Sequence, residues 1–436
     1  MQFFQDLGSL VEERWRDHDY DDEIFPEIAV QALAEADPSK WVEPWEIIRW
    51  VNTTPQLPAQ QDVPGGFGNP PITLFSGPRF YIDVYYWVDG TTTIHQHGFC
   101  GAFQVLLGSS IHGHYRFTPT REINQNFMVG NLSLESVELL ERGAVKRILA
   151  GDQYIHSLFH LDRPSATICV RTYQTYKGVP QWNYHKPFFA DNPFFKEPTA
   201  IKRMQSASLL LTIAHPDADA MIGELLAHSD FQTAFLIIDL ARRHLLGNRL
   251  EKEFGISAGE QRFQALMDIA RRRHGEQVDL IQPVFEEAER QHNLIQRRAQ
   301  ITSNEHRFFL ALLLNIPDRD KVLDLVRQRF PEQDPVATVT DWVEELANTK
   351  VAGSPEPNVL GIENFDDAYL LVFECLLEGR TIDQTIHAFE EEFSVEYTQS
   401  LGDKPQKLYN GIRNSMLFRS IFPDQPTAVL AQSLTV

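Results

Sequence analysis

From Ile72 onward the chain breaks into short β-rich runs, and no other feature narrows its fold as much. "RFYIDVYYWV", "TTTIHQHG", "AFQVLLG", "SIHGHYRFTP", "INQNFMVGNLSL", "ESVELLERG", "AVKRILAG", "DQYIHSLFHL" and "SATICVRTYQTY" follow one another with Gly, Asp, Pro and Asn between them. β-branched and aromatic residues suit a pleated surface, and the residues between the runs suit turns. Roughly eight or more strands at this spacing predict a small barrel or sandwich. "QWNYHKPFFADNPFFKEP" then breaks the alternation with prolines, so the strand-rich part closes near residue 190.

Both flanks read as helical. Before the strands, "SLVEERW", "PEIAVQALAEA" and "EPWEIIRWV" place apolar residues three or four apart, as a one-sided helix requires. "TTPQLPAQQDVPGGFGNPP" follows, a Pro/Gly/Gln stretch that neither propagates a helix nor fills a core strand, and it reads as a linker or covering loop. After Thr199 the helical pattern dominates. "SDFQTAFLIIDLARRHLLG" offers Ser229 or Asp230 as a cap, Phe231, Phe235, Ile238 and Leu245 on one face, and Gly247 at its end. The expected architecture is α+β and multidomain: an N-terminal helical segment with linker (1–72), a central β-barrel (73–190) and a large all-α C-terminal domain (191–436).

The formal net charge of -21 is spread along the chain, which repels phosphate backbones and anionic lipid, so nucleic acid is not an expected partner. The start carries no basic head followed by an apolar run, and "FFLALLLNI" is far too short for a membrane span. A cytoplasmic location is expected. Cys100, Cys169 and Cys375 are too few and too scattered for a disulfide framework, and there is no Cys-x-x-Cys pair. Any metal site would therefore lean on histidine.

The figure Ile-His-x-His occurs twice, at His95/His97 and at His112/His114. Two histidines one residue apart on a strand point to the same side, a common beginning for a metal site. Gly108-Ser109-Ser110 reads as a hairpin turn, with His97 about eleven residues before it and His112 about four after. At about 3.3 Å per residue the two pairs would lie on the order of 20 Å apart. The second pair is thus expected to face solvent or an interface. Cys100, of the opposite parity, is expected in core packing.

"GTTTIHQHGFCGAFQVLLG" resembles the first motif of the cupin superfamily: Gly90, four residues, His95-x-His97, three residues, Gly101 where cupins carry Glu, six residues, Gly108. "LAGDQYIHSLFH" is similar to the second motif, with Gly151, Tyr154 where a His often stands, His156 two residues on, and His160 in the Asn position. The absent glutamate, together with Trp87 and Ile94 ahead of the histidines, resembles the thiol dioxygenases related to cysteine dioxygenase. In that family three histidines hold iron without a carboxylate.

The resemblance implies a cupin barrel binding Fe(II), or another divalent transition metal, through His95, His97 and His156, with His160 as the alternative third ligand. It implies a small substrate, thiol or amino-acid-like, bound beside O2. The family's His-x-Tyr pair is replaced here by Cys169 and Arg171. Among Arg79, Arg116 and Arg171 as takers of a substrate carboxylate, Arg171 shares inward parity with Cys169 and Tyr173, which makes Arg171 and Tyr173 the expected substrate-orienting residues. The expected function is a mononuclear non-heme iron oxygenase or dioxygenase. The second reading is a cupin that binds a ligand or protein partner without turnover, using the helical region as its interaction surface.

Overall fold

A computed structural model describes residues 1–88, 93–175, 178–247, 258–350, 356–393 and 402–422. Four helices come first: α1 (Gln2–Arg16), α2 (Phe25–Ala36), α3 (Pro38–Trp41) and α4 (Pro44–Thr53). Eleven strands follow among the described residues: β1 (Pro71–Ser76), β2 (Phe80–Trp87), β3 (Ile94–His95), β4 (Gly101–Leu107), β5 (Ser110–Asn124), β6 (Phe127–Leu140), β7 (Val145–Ile148), β8 (Ile155–His160), β9 (Ser165–Thr172), β10 (Asn183–His185) and β11 (Phe189–Asp191). From α5 (Pro198–Thr212) onward the described elements are helical. The fold is α+β, with a β-barrel and a large helical part.

The strands form a five-stranded sheet in the order β1-β2-β9-β4-β7 and a closed barrel in the order β10-β11-β6-β5-β8-β3. Strands β2, β4 and β9 are buried on nearly every residue, which a strand with one wet face would not be. Alternation explains it. Phe80, Ile82, Val84 and Tyr86 of β2, with Ala166, Ile168 and Val170 of β9, turn outward onto the N-terminal helices. There they meet Phe4, Leu7, Val11 and Trp15 of α1 and Phe25, Ala29 and Leu33 of α2 in one apolar cluster. Cys100 packs in this cluster, as its parity predicted. The opposite face of the same strands carries Tyr85, Phe103, Val105 and Cys169 into a second, smaller cluster.

The chain forms two compact units. Among the described residues, one comprises 1–116, 134–181 and 290–422; the other comprises Phe117–Ser133 and Trp182–Glu289. In the first, Ile111 of β5 and Phe159 and Leu161 on and just beyond β8 share a core with the helix Asn304–Asn315, whose Phe308–Leu314 run is wholly buried. Arg298 fastens this packing by donating from Nη2 to the Leu161 carbonyl at 2.6 Å and from Nε to the Arg307 carbonyl at 3.1 Å. In the second unit Phe127 and Phe189 pack against Phe231 and Phe235 of the helix Phe231–Leu245, which is capped by Asp230 on the Thr233 N–H.

Several strand boundaries differ from the sequence pattern. "INQNFMVGNLSL" is two strands joined by a turn: β5 runs to Asn124, and β6 starts at Phe127 and absorbs "ESVELL". The proline-rich stretch at 181–198 still supplies two short strands, β10 and β11, with Phe189 opposite Val129, and the last strand ends at Asp191, close to the expected residue 190. Among the described residues of "TTTIHQHG", Ile94 and His95 form the strand. Gly90, the first glycine of the cupin-like motif, lies outside the described residues.

A candidate metal centre inside the barrel

His95, His97 and His156 meet on the inner face. β3 pairs with β8 so that His95 lies directly opposite His156, and His97 two residues on makes a bridge to Ala150. Gly151 holds that crossing by donating its N–H to the His97 carbonyl at 2.8 Å, after which a short turn, Gly151–Tyr154, feeds β8. The ring centres are 4.5 Å apart for His95 and His97, 4.8 Å for His95 and His156, and 4.9 Å for His97 and His156. One ligand atom from each lies within 4.8 Å of the others. All three are buried, at 4%, 6% and 5% exposure.

The donor set fits a transition metal. Burial depresses all three imidazoles, His95 to about 4 and the other two well below their usual range, so they stand neutral with a free lone pair near pH 7. His95 Nδ1 lies 2.7 Å from the Thr93 carbonyl, which can only accept, so the proton is on Nδ1 and Nε2 carries the lone pair. His97 Nε2 and His156 Nε2 face each other at 2.8 Å. Two bare lone pairs repel at that distance, so the gap needs a proton or a cation between them.

Gly101 occupies the place of the cupin glutamate, and the fold leaves no room for one. A Cβ there would lie 2.0 Å from the Val170 carbonyl oxygen and 2.9 Å from Arg171 Cα on the paired strand β9. No carboxylate can therefore join the three histidines from position 101. His160 stands apart. Its ring stacks on Trp87 at 4.5 Å, and its Nδ1 lies 2.9 Å from Ser165 Oγ and 3.2 Å from Ser110 Oγ.

Beside the histidines is a cavity of about 50 Å³. Its walls are mostly apolar, from Phe67, Tyr85, Trp87, Phe99, Phe103, Ile148 and Leu158, with Thr167, Cys169 and Arg171 on β9. Burial pushes the Cys169 thiol up to about 12, which keeps it protonated and a poor nucleophile. Arg171 lays its guanidinium against Phe99, with Cζ 3.1 Å from the ring centre, and its buried Nε has no hydrogen-bond partner. Nearby, buried Asp83 accepts a hydrogen bond from the Tyr85 hydroxyl at 3.0 Å, and its other oxygen is unpartnered.

Two expectations are corrected here. Tyr173 does not line the cavity: β9 ends at Thr172, and the Tyr173 hydroxyl donates to the Gly77 carbonyl at 2.9 Å in a 38% exposed position. The second histidine pair is not remote from the first. His112 is fully buried, with Nε2 3.0 Å from His156 Nδ1, and His114 lies directly opposite His156 across β5 and β8. The 20 Å estimate assumed that β4 and β5 form a hairpin. They belong to different sheets, so the chain at Gly108–Ser109 crosses from one sheet to the other and brings His112 back over the site. With Glu138 of β6, His112 and His114 form a second group of donors within 4.8 Å of one another.

Phe67 comes from the Pro/Gly-rich loop, its N–H bonded to Asp62 Oδ2 at 2.8 Å and its ring 6.4 Å from that of His95. "PGGFGNPP" carried one aromatic among turn residues, the signal that could have marked it as a pocket wall. Glu138 offered no local signal, since only the pairing of distant strands brings it to His112.

Among the described residues no helix is long and apolar enough to cross a membrane. A closed β-barrel with a buried histidine triad fits a cupin. No family model matches this chain, and no curated protein matches it either. A solved structure described as "Crystal structures of DMSP lyases RdDddP and RnDddQII" is 14% identical over 41% of this chain and 97% of that one, with a TM-score of 0.22, a likeness too slight to assign a fold or an activity.

Proposed function

We propose that this chain is a metal-dependent cupin of the three-histidine kind, a mononuclear non-heme iron oxygenase acting on a small carboxylate-bearing molecule, thiol or amino-acid-like. The observation that carries the reading is the convergence of three neutral, buried imidazoles on one side of a small, nearly apolar cavity that also holds an arginine. Fe(II) bound by His95, His97 and His156 would supply Lewis acidity and electrons for oxygen chemistry. The protein's own residues prepare the space around it. Phe67, Trp87, Phe99 and Phe103 exclude water, which strengthens every electrostatic contact inside. Arg171, with its buried Nε unpartnered, takes the substrate carboxylate. Three free, buried cysteines suit a reducing compartment, in keeping with a cytoplasmic enzyme.

The test is oxygen uptake by the Fe(II)-loaded protein with a panel of small thiols, amino acids and carboxylates. Uptake that needs both a carboxylate on the substrate and Arg171 supports the reading. Silence from the thiols alone removes that substrate class. Silence across the panel, with iron bound, leaves the second reading, a cupin that binds its ligand without turnover.

A further inference from the structure

The hydrogen bonds behind His156 have a direction, and that direction decides which of its nitrogens is free. His156 Nδ1 lies 3.0 Å from His112 Nε2; His112 Nδ1 lies 3.0 Å from Glu138 Oε1; Glu138 Oε2 is held by Lys146 Nζ at 2.6 Å. Glu138, held down to about 2 by the bond from His112 and by Lys146, is an acceptor only. His112 must therefore carry its proton on Nδ1, and as a neutral ring it accepts at Nε2. The Tyr154 hydroxyl, 3.3 Å from that same Nε2, agrees with an acceptor there. His156 in turn must carry its proton on Nδ1. Its Nε2 is left bare, and this is the atom that faces His97.

Resting on the three-histidine reading above, we propose that Glu138, acting through the fully buried His112, sets the tautomer of His156 and so presents its bare Nε2 to the metal. Glu138 and His112 are positioning residues, and Lys146 fixes which carboxylate oxygen is turned toward His112. A carboxylate behind a ligating histidine commonly does this directly; here a second imidazole extends the arm. The same geometry argues against His112, His114 and Glu138 as an independent second metal site. A metal on His112 Nδ1 would move that ring's proton to Nε2. His156 Nδ1 would then have to accept, and its proton would sit on Nε2 and block the first site. Lys146 also competes with any cation for Glu138.

The test uses Co(II) alone as the probe and one substitution that reverses the arm rather than removing it. In Glu138→Gln, Lys146 keeps the amide oxygen, so the amide N–H points at His112 Nδ1 and turns every donor in the chain around. The Co(II) Kd is expected to weaken by about 10- to 100-fold. In Glu138→Gln/Lys146→Met the amide is free to turn its oxygen to His112, and most of the affinity returns, whereas damage of a merely structural kind would deepen with the second substitution. Histidine-selective 15N NMR of the metal-free wild type, with His156 assigned by its loss in His156→Gln, should show His156 protonated at Nδ1.

The proposal is overturned by a Kd unchanged in Glu138→Gln, by no recovery in the double variant, by His156 protonated at Nε2, or by two equivalents of Co(II) with one lost in Glu138→Gln. If wild type binds no Co(II), the iron reading falls, and the tautomer measurement decides the proposal by itself.

Discussion

Restoring the "missing" cupin glutamate is the perturbation that separates this structure from a motif-level account. At position 101 the obstacle is backbone, not a side chain that could swing aside: the first carbon of any side chain would sit 2.0 Å from the Val170 oxygen. Ordinary C···O contacts begin at about 3.3 Å, so β4 and β9 would have to part by more than about 1 Å. The bonds from Thr172 N–H to the Cys100 carbonyl (3.0 Å) and from Cys100 N–H to Thr172 Oγ1 (3.1 Å) lie beside the clash and give way first. At about 1 kcal/mol each, plus about 1–3 kcal/mol for overpacking, Gly101→Ala should cost about 3–5 kcal/mol. Gly101→Glu should cost at least as much and add no metal ligand. Gly411→Ala is the control. That glycine lies within the helix Lys404–Asn414 with nothing inside 4 Å of a new Cβ, and the change should stabilise by about 0.5–1 kcal/mol. Urea unfolding of the three variants measures both signs. A Gly101→Ala protein as stable as wild type, or a Gly101→Glu protein that binds metal more tightly, would refute the argument.

Other expectations follow from the same geometry. His160→Ala should keep full metal stoichiometry while losing about 1–3 kcal/mol of stability, because His160 stacks on Trp87 and meets Ser110 and Ser165 rather than the triad; loss of metal would make His160 the third ligand. Arg171→Met should raise KM for carboxylate substrates at least tenfold with metal content unchanged, whereas Tyr173→Phe should change neither. Metal-free protein should weaken steadily as pH falls from 6.5 toward 4. Burial lowers the folded-state values of His95 to about 4 and His160 to about 3, so the unfolded chain binds protons that the folded one refuses. Stability is full above pH 6.5 and falls by about 1.4 kcal/mol per pH unit for each such histidine. Thermal midpoints that stay flat over that range would show these rings to be solvated.

The local patterns of this sequence carried much of the fold. Alternating runs marked most strands, three-to-four spacing marked the N-terminal helices, and Asp230 was readable as a cap because a helix start needs a side-chain acceptor there. The meeting of His95, His97 and His156 was legible because a glycine-framed His-x-His strand and a later histidine strand fit a known spacing. What could not be read was which strands become neighbours. Gly108-Ser109-Ser110 looks like a hairpin turn but is a crossing between sheets, and that one misreading placed His112 far from a site it touches. Tyr173 failed for a related reason. Parity along a strand predicts direction only while the strand lasts, and β9 stops one residue short. Glu138, Lys146 and Phe67 join the site through long-range pairing or loop packing, neither of which leaves a periodic trace.

On the proposed reading, His95, His97 and His156 hold one metal ion. Elemental analysis of protein purified without chelators, wild type beside the His95→Ala/His97→Ala double variant, tests it most directly. Close to one iron per chain is expected in wild type and none in the variant, with the fold retained by circular dichroism. A wild type free of transition metal, or a double variant that keeps its iron, would contradict it.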